Sequence, residues 1–372
     1  MKLLYVINSS SFFCSHFCHV AEYAFNHGLE VVVACGDDTR KEYLESLGFK
    51  FLLIPMSRNG FSIAQNIKCV FYIYKVIKES RADKVHFLTI KPVLFGGLVS
   101  RLLFSGKLKR TIFSITGLGS LYLDKSIKSK LVWFFIEKLY RFSLGNKEST
   151  VVFENDDDLS FFIDKKIISK GKSIIINGAG VNTDEFLPSG EKKEPYLITT
   201  VCRIIKDKGV LEYIEAGRIL RERNVNVILQ LVGPFDGENI SSINDQFVLD
   251  ADKRNFIKYL GERSDIKDIY RNSYAACLPS YREGLSKSLI EAVSCGLPLI
   301  TTNVPGCRQL TRFDNGVTIE PRDALALADA IEDLVKDPEK AKVMGDNSRK
   351  AALEWFDSKI IANNFYEIYI SE

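Results

Sequence analysis

Glu283 and Glu291 stand eight residues apart in Pro279-Ser-Tyr-Arg-Glu-Gly-Leu-Ser-Lys-Ser-Leu-Ile-Glu-Ala-Val-Ser-Cys-Gly-Leu-Pro298. Glu283 sits in a glycine-containing turn and Glu291 in an apolar run. Ser286 and Ser288 are suited to cap a helix that starts between them. At about 1.5 Å of rise per residue, that spacing separates the carboxylates by roughly 10 Å. Two acceptors so placed can hold hydroxyls on two rings of one extended ligand, and a helix N-terminus between them favours an anion. Sugar, diphosphate and ribose fit that order. A second group, Cys202-Arg-Ile-Ile-Lys-Asp-Lys-Gly209, follows an apolar run. Arg203 and Lys208 there can hold a diphosphate without a metal ion. Taken singly, each segment also fits a solvated, capped helix or a charged loop. The two on one edge of one unit favour the anion site.

The surrounding elements must bring these groups together. Short apolar runs at Leu3–Ile7, Glu30–Ala34, Phe51–Ile54, Lys84–Leu88, Thr111–Ile115, Val151–Phe153 and Ser173–Ile176 read as buried parallel strands. Helical stretches such as His16–His27 and Ile63–Glu79 alternate with them. Pro188–Pro195 is polar and bounded by prolines, as a linker would be. The pattern then restarts, with strands at Tyr196–Cys202, Asn226–Val232, Phe256–Tyr259, Ala275–Leu278, Leu299–Thr302 and Gly316–Ile319. Helices are expected around 209–223, 265–272, 286–295, 323–336 and 338–354. The expectation is an α/β protein of two Rossmann-like, doubly wound domains, 1–188 and 195–356, facing a cleft. An amphipathic helix at 357–372 packs back on the first.

With 372 residues, two cores are the natural division. No apolar stretch reaches bilayer-spanning length, and Leu3–Ile7 is too short for a signal peptide, so a cytoplasmic protein is expected. The eight scattered cysteines suit reduced core thiols. Cys14, His16, Cys18 and His19 cluster, but at no common zinc spacing. Residues 1–180 carry 25 Lys/Arg against 16 Asp/Glu, and residues 181–372 carry 25 against 31. The basic first half suits a polyanionic surface such as membrane phosphates. No helix-turn-helix, zinc-finger or ribonucleoprotein signature supports a nucleic-acid partner. The helix-period run Ile127–Phe142 is basic and aromatic, which fits either a core helix with a solvated edge or a membrane-surface helix.

The chain resembles the retaining, family 4 glycosyltransferases of the GT-B fold, and the resemblance covers nearly all of it. VCRIIKDKGV (201–210), KYLGERSDIKDIY (258–270) and PSYREGLSKSLIEAVSCGLPLITTNVPGCRQL (279–310) carry it in the second half. KVHFLTIKPVLFGG (84–97), TGLGSLYL (116–123), VVFENDDDLSFF (151–162) and INGAGVNTDEFLP (176–188) carry it in the first. The first-half segments look most like enzymes that extend polyprenyl-diphosphate-linked sugars for bacterial surface glycans of the O-antigen type.

The resemblance implies that Arg203 and Lys208 bind the diphosphate of a nucleotide sugar, most simply a UDP sugar. Glu291 would accept from the ribose. Glu283 would contact the donor sugar, with the amides of Gly284, Leu285 and Ser286 nearby. Gly261, Glu262 and Arg263 would hold the base. On the acceptor side it implies Gly117 and Gly119, with His16, His86 and Lys91 facing the cleft. Family members often carry a Gly-Gly pair where this chain has Asn8–Cys14, so no donor role falls on that loop. Leu88 stands where a second histidine is common. The implied reaction is metal-independent transfer of a hexose or N-acetylhexosamine, N-acetylgalactosamine first among them, to a polyprenyl-diphosphate-linked saccharide. Asp156–Asp158 could suggest a D-x-D metal site, but the run reads better as an acidic first helical turn. A nucleotide-sugar epimerase or a non-catalytic sugar-binding relative would use the same architecture.

Overall fold

The computed structural model describes residues 1–56, 63–103, 110–124, 126–145 and 149–371. Two compact units emerge, Met1–Ala179 with Ser358–Glu372, and Gly180–Asp357.

Unit 1 holds the strands β1 (Lys2–Ile7), β2 (Glu30–Cys35), β3 (Lys50–Leu53), β4 (Lys84–Leu88), β5 (Arg110–Ile115), β6 (Ser149–Phe153) and β7 (Ser173–Ile175). All pair in parallel, in the order β3-β2-β1-β4-β5-β6-β7. The run of Val, Ile, Leu and Phe in each strand is what a sheet covered on both faces requires. Its helices are α1 (Ser10–His16), α2 (Cys18–Asn26), α3 (Lys41–Ser46), α4 (Ile63–Ser80), α5 (Ile90–Leu103), α6 (Ser120–Leu123), α7 (Ile127–Ser143) and α8 (Asp156–Asp164). One face of the sheet packs on α1, α2 and the C-terminal helix, and the other on α4, α5, α7 and α8.

The sequence predicts one helix from His16. The structure instead starts α1 at Ser10, because the Ser9 hydroxyl accepts from the Phe12 amide, and breaks it at Phe17. Asn155 caps α8 in the same way, and Asp156, Asp157 and Asp158 form its first turn.

Unit 2 repeats the plan with β8 (Tyr196–Val201), β9 (Val227–Val232), β10 (Lys258–Gly261), β11 (Ala275–Leu278), β12 (Leu299–Thr302) and β13 (Gly316–Ile319). Their parallel order is β10-β9-β8-β11-β12-β13. The helices are α9 (Val210–Glu222), α10 (Asp245–Lys253), α11 (Ile266–Asn272), α12 (Lys287–Ser294), α13 (Ala324–Lys336) and α14 (Pro338–Ala351). Helices α9, α10 and α13 cover one face; α11 and α12 cover the other. Helix α10, absent from the sequence expectations, is capped by Asn244. Residues 180–188 group with unit 2 rather than unit 1. The Val181 amide donates to the Phe356 carbonyl at 2.8 Å, and Arg349 donates to the carbonyls of Thr183 and Phe186.

The last helix, α15 (Ser358–Ile370), returns to unit 1 and lies against α2. A buried polar chain anchors it. The Tyr5 hydroxyl donates to that of Tyr369 at 3.1 Å, which lies 2.8 Å from His86 Nδ1, while His86 Nε2 lies 2.7 Å from the Ser114 hydroxyl. His86 is fully buried. This corrects its expected acceptor-side role: its place in β4 turns it into the core among Tyr5, Phe17 and Phe365.

Burial holds the His86 imidazole far below its usual 6.5, at about 3. The unfolded chain therefore binds a proton that the folded chain rejects. Stability is full above pH 6.5 and is lost, at up to about 1.4 kcal/mol per pH unit, as pH falls toward 3. His86→Gln is expected to flatten the urea-unfolding free energy between about pH 6.5 and 5, where carboxylates still contribute little. An unchanged slope would remove His86 as its source.

Candidate functional site

In a doubly wound sheet, ligands bind beyond the carboxyl ends of the strands where the order reverses. In unit 2 that place lies between β8 and β11. The loop after β8 carries Arg203 and a 3-10 turn, Lys206–Lys208, closed by Gly209 at φ 70°. The loop after β11 carries Ser280, Tyr281 and Glu283. The two are tied by backbone. The Tyr281 amide donates to the Asp207 carbonyl at 2.8 Å, and the Ser280 hydroxyl to the same oxygen at 2.9 Å. A Cβ on Gly209 would lie 2.0 Å from the Pro279 carbonyl oxygen, so only glycine lets the loops meet.

The result is a direct ion pair. Lys208 Nζ donates to Glu283 Oε1 at 2.5 Å and Oε2 at 2.7 Å, with 20% and 11% of the two side chains exposed. From the other side, the Glu283 amide donates to the Pro305 carbonyl at 3.0 Å and the Ser286 amide to that of Gly306 at 3.2 Å. Gly306, at φ 77°, packs so closely that a Cβ would lie 2.4 Å from the Glu283 carbonyl oxygen. The Tyr281 hydroxyl donates to Glu212 Oε1 at 2.7 Å, and the Arg322 guanidinium stacks 4.5 Å from the Tyr281 ring centre. Sequence reasoning missed Gly306, Glu212, Tyr281 and Arg322. The glycine between Pro305 and Cys307 was the one available signal.

Arg203, Lys208, Glu283 and Glu291 each have an opposite charge beside them. Arg203 pairs with Asp236 in the loop after β9, a residue the sequence reading did not single out. Glu291 is buried on α12 and pairs with Lys287, one turn earlier. Ser286 caps α12 by accepting from the Leu289 amide. Leu285 is buried, and Gly284 leads into it. On the neighbouring strand end, Gly261 is left-handed at φ 70° and its carbonyl accepts from the Gly233 amide at 2.8 Å. Glu262 and Arg263 are exposed, and Arg263 bonds Asp265 through Nε at 2.8 Å and Nη2 at 2.6 Å. Burial pushes the thiols of Cys202 and Cys307 up to about 12, which keeps both protonated and poor nucleophiles near neutral pH.

In unit 1 the order reverses between β1 and β4. The residues just beyond those strands, Asn8 and Thr89, meet there: the Thr89 hydroxyl donates to Asn8 Oδ1 at 3.1 Å. Thr89 has φ 71°, a left-handed conformation that a β-branched residue rarely adopts, and no sequence signal marked it. Lys91 follows in the first turn of α5, where partial burial lowers its ammonium below the usual lysine range. Gly117 and Gly119, after β5, are left-handed at φ 110° and 75°. His16 ends α1, stacked on Phe12 with ring centres 3.9 Å apart. All eight cysteines are free, and among the described residues no three His, Cys, Asp or Glu side chains group to hold a metal.

Residues 182–351 match the family model for glycosyl transferases group 1, and residues 2–155 match that for glycosyl transferase 4-like proteins. The chain is 28% identical to N,N'-diacetylbacillosaminyl-diphospho-undecaprenol alpha-1,3-N-acetylgalactosaminyltransferase of Campylobacter jejuni, covering 91% of this chain and 90% of that protein. It is 25% identical to UDP-Gal:alpha-D-GlcNAc-diphosphoundecaprenol alpha-1,3-galactosyltransferase of Escherichia coli, covering 88% and 85%. The crystal structure of a glycosyltransferase from Rickettsia africae superposes with a TM-score of 0.79 at 19% identity, covering 99% and 97% of the chains. Anabaena Alr3699/HepE in complex with UDP gives 0.76 at 18%, covering 99% of each. With both halves matched and two doubly wound sheets in place, the chain is a glycosyltransferase of the group 1, family 4-like class, built on the GT-B fold.

Proposed function

We propose that this glycosyltransferase moves a hexose or N-acetylhexosamine, N-acetylgalactosamine foremost, from a UDP sugar to a polyprenyl-diphosphate-linked saccharide, with retention at the anomeric carbon and without a metal ion. The observation that carries the reading is the Lys208–Glu283 pair at the strand-order reversal of unit 2. In this reading Lys208 is the cation for the leaving diphosphate and Glu283, beside it, the carboxylate for sugar hydroxyls. Arg203 adds the second cation, Glu291 serves the ribose, and the residues around Gly261 serve the base. Fixed charges of this kind stabilise a departing diphosphate without reorganising during the reaction. The names of the Campylobacter and Escherichia relatives both specify a diphospho-undecaprenol carrier, and the second specifies a UDP sugar. They support this acceptor class; the proposal adds synthesis of a bacterial surface glycan of the O-antigen type and work at the cytoplasmic face of the membrane. Among the described residues no helix is long and apolar enough to cross a bilayer. The basic unit 1 would meet the surface peripherally.

The test supplies purified protein with a polyprenyl-diphosphate N-acetylhexosamine acceptor and UDP-, GDP- or dTDP-linked sugars, with and without EDTA. The expected product gains one sugar from a UDP donor at an EDTA-insensitive rate. Activity lost in EDTA and restored by Mn²⁺ or Mg²⁺ would overturn the metal-free mechanism. Turnover only with GDP or dTDP sugars would overturn the donor.

A further inference from the structure

Helix α7 is apolar on two opposite sides. Its inner side, with Tyr140 and the partly buried Trp133, Ile136 and Leu139, packs on the core of unit 1. Its outer side carries Ile127, Leu131, Phe134 and Phe135, at i, i+4, i+7 and i+8, with 52–86% of each side chain exposed. A helix on the surface of a water-soluble domain normally turns polar residues outward, so this stripe has another environment to meet. It is not isolated. Helices α4 and α5 lie in the same layer over the same sheet face and add exposed Ile67, Phe71 and Leu102.

Charge identifies that environment. Helices α4, α5 and α7 together carry nine Lys/Arg and two Asp/Glu. One of the two acids, Glu137, lies mostly buried between Arg141 and Lys165. Lys68, Lys75, Lys78, Lys128, Lys130 and Lys138 are all exposed. Lys138 lies over the Phe134 ring at 5.2 Å and Lys78 over Tyr74 at 5.9 Å, so ammonium groups and aromatic rings share one surface. Two copies pressed together through this face would bring like charges together. A surface of phosphate headgroups over acyl chains satisfies both parts of it.

We propose that unit 1 docks on a bilayer containing anionic lipid through the outer faces of α4, α5 and α7, with Phe71, Phe134 and Phe135 entering the headgroup boundary and the lysines holding lipid phosphates. The proposal rests on the lipid-linked acceptor reading only for its purpose. Vesicle binding is measured without donor, acceptor or turnover, so either can fail alone.

The experiment floats the full chain with phosphatidylcholine vesicles, with and without roughly one-third phosphatidylglycerol. Binding is expected to the anionic vesicles, to weaken as salt rises, and to be at least about tenfold weaker on neutral ones. Phe134→Ser with Phe135→Ser should weaken it by about tenfold or more. Lys128→Gln with Lys130→Gln should weaken it by about fivefold for each lysine. Both variants keep the UDP-induced thermal shift, which reports an intact unit 2. Failure to bind anionic vesicles, or binding indifferent to both variants, overturns the proposal. A dimer in solution that the phenylalanine variant abolishes would overturn it too, because the face would then belong to a second copy.

Discussion

Glu283→Gln should tighten UDP binding by about threefold to tenfold while transfer falls by about 10³-fold. The two effects have opposite signs because of one contact. In the structure Lys208 spends its ammonium on both oxygens of Glu283. An incoming diphosphate must share that ammonium or take it, and in a mostly buried pair the competition is stronger than at an open surface. A neutral amide of the same shape releases the lysine to the phosphates of free UDP. It also removes the charged acceptor proposed for the sugar, and hydrogen bonds to a charged group are about twice as strong as neutral ones. Lys208→Ala, by contrast, should weaken UDP and slow transfer together. Calorimetric titration with UDP and initial rates on the same preparations separate these outcomes. Unaltered UDP affinity with retained turnover in Glu283→Gln would place Glu283 outside the site.

Gly209→Ala is expected to cost unit 2 about 2 kcal/mol or more, because it adds a clash to a left-handed backbone that alanine adopts poorly. The new methyl would lie 2.0 Å from the Pro279 carbonyl oxygen. Backbone is on the other side of that contact, so relief requires the β8 and β11 loops to part. For a unit of this size the unfolding midpoint should fall by about 4–8 °C. Donor affinity should fall with it, since Lys208 is the adjacent residue and Glu283 lies on the displaced loop. Gly237→Ala is the control: nothing lies within 4 Å of its added methyl, so its midpoint should stay close to that of the unaltered protein. Scanning calorimetry reads both. A Gly209→Ala protein that melts with the unaltered one would show that the two loops are not clamped.

The thirteen strands of the described residues were legible because a strand covered on both faces must be a short apolar run, and this chain punctuates those runs with charged and turn residues. Two helices were less visible. Ser10–His16 begins in a serine run that reads as loop until the Ser9 cap is seen, and Asp245–Lys253 is mostly polar, with only Val248 and Ala251 buried.

The candidate site could be proposed from residue types, but its contacts could not be read from them. That Lys208 would touch Glu283, 75 residues later, depends on β8 and β11 being neighbours, which no local pattern states. The pairing of Arg203 with Asp236 depends likewise on β9 lying beside β8. His86 failed for a different reason. A histidine in an apolar strand can point to either face and either end, and here Tyr369 and Ser114, far away in sequence, supply the partners that keep it inside. Thr89 carries its signal in a backbone angle, which residue identity does not encode for threonine.

The seat of α15 has a consequence for biosynthesis. Tyr5 and Tyr369 are separated by 364 residues, yet they close one core. A ribosome delivers the chain from its N-terminus, and domains ordinarily fold as they emerge. Here the sheet of the first unit must wait through the making and folding of the second before its final helix arrives. For that interval the groove that receives Ile361, Phe365 and Ile368 stands open on the nascent chain, a surface for a chaperone to shield.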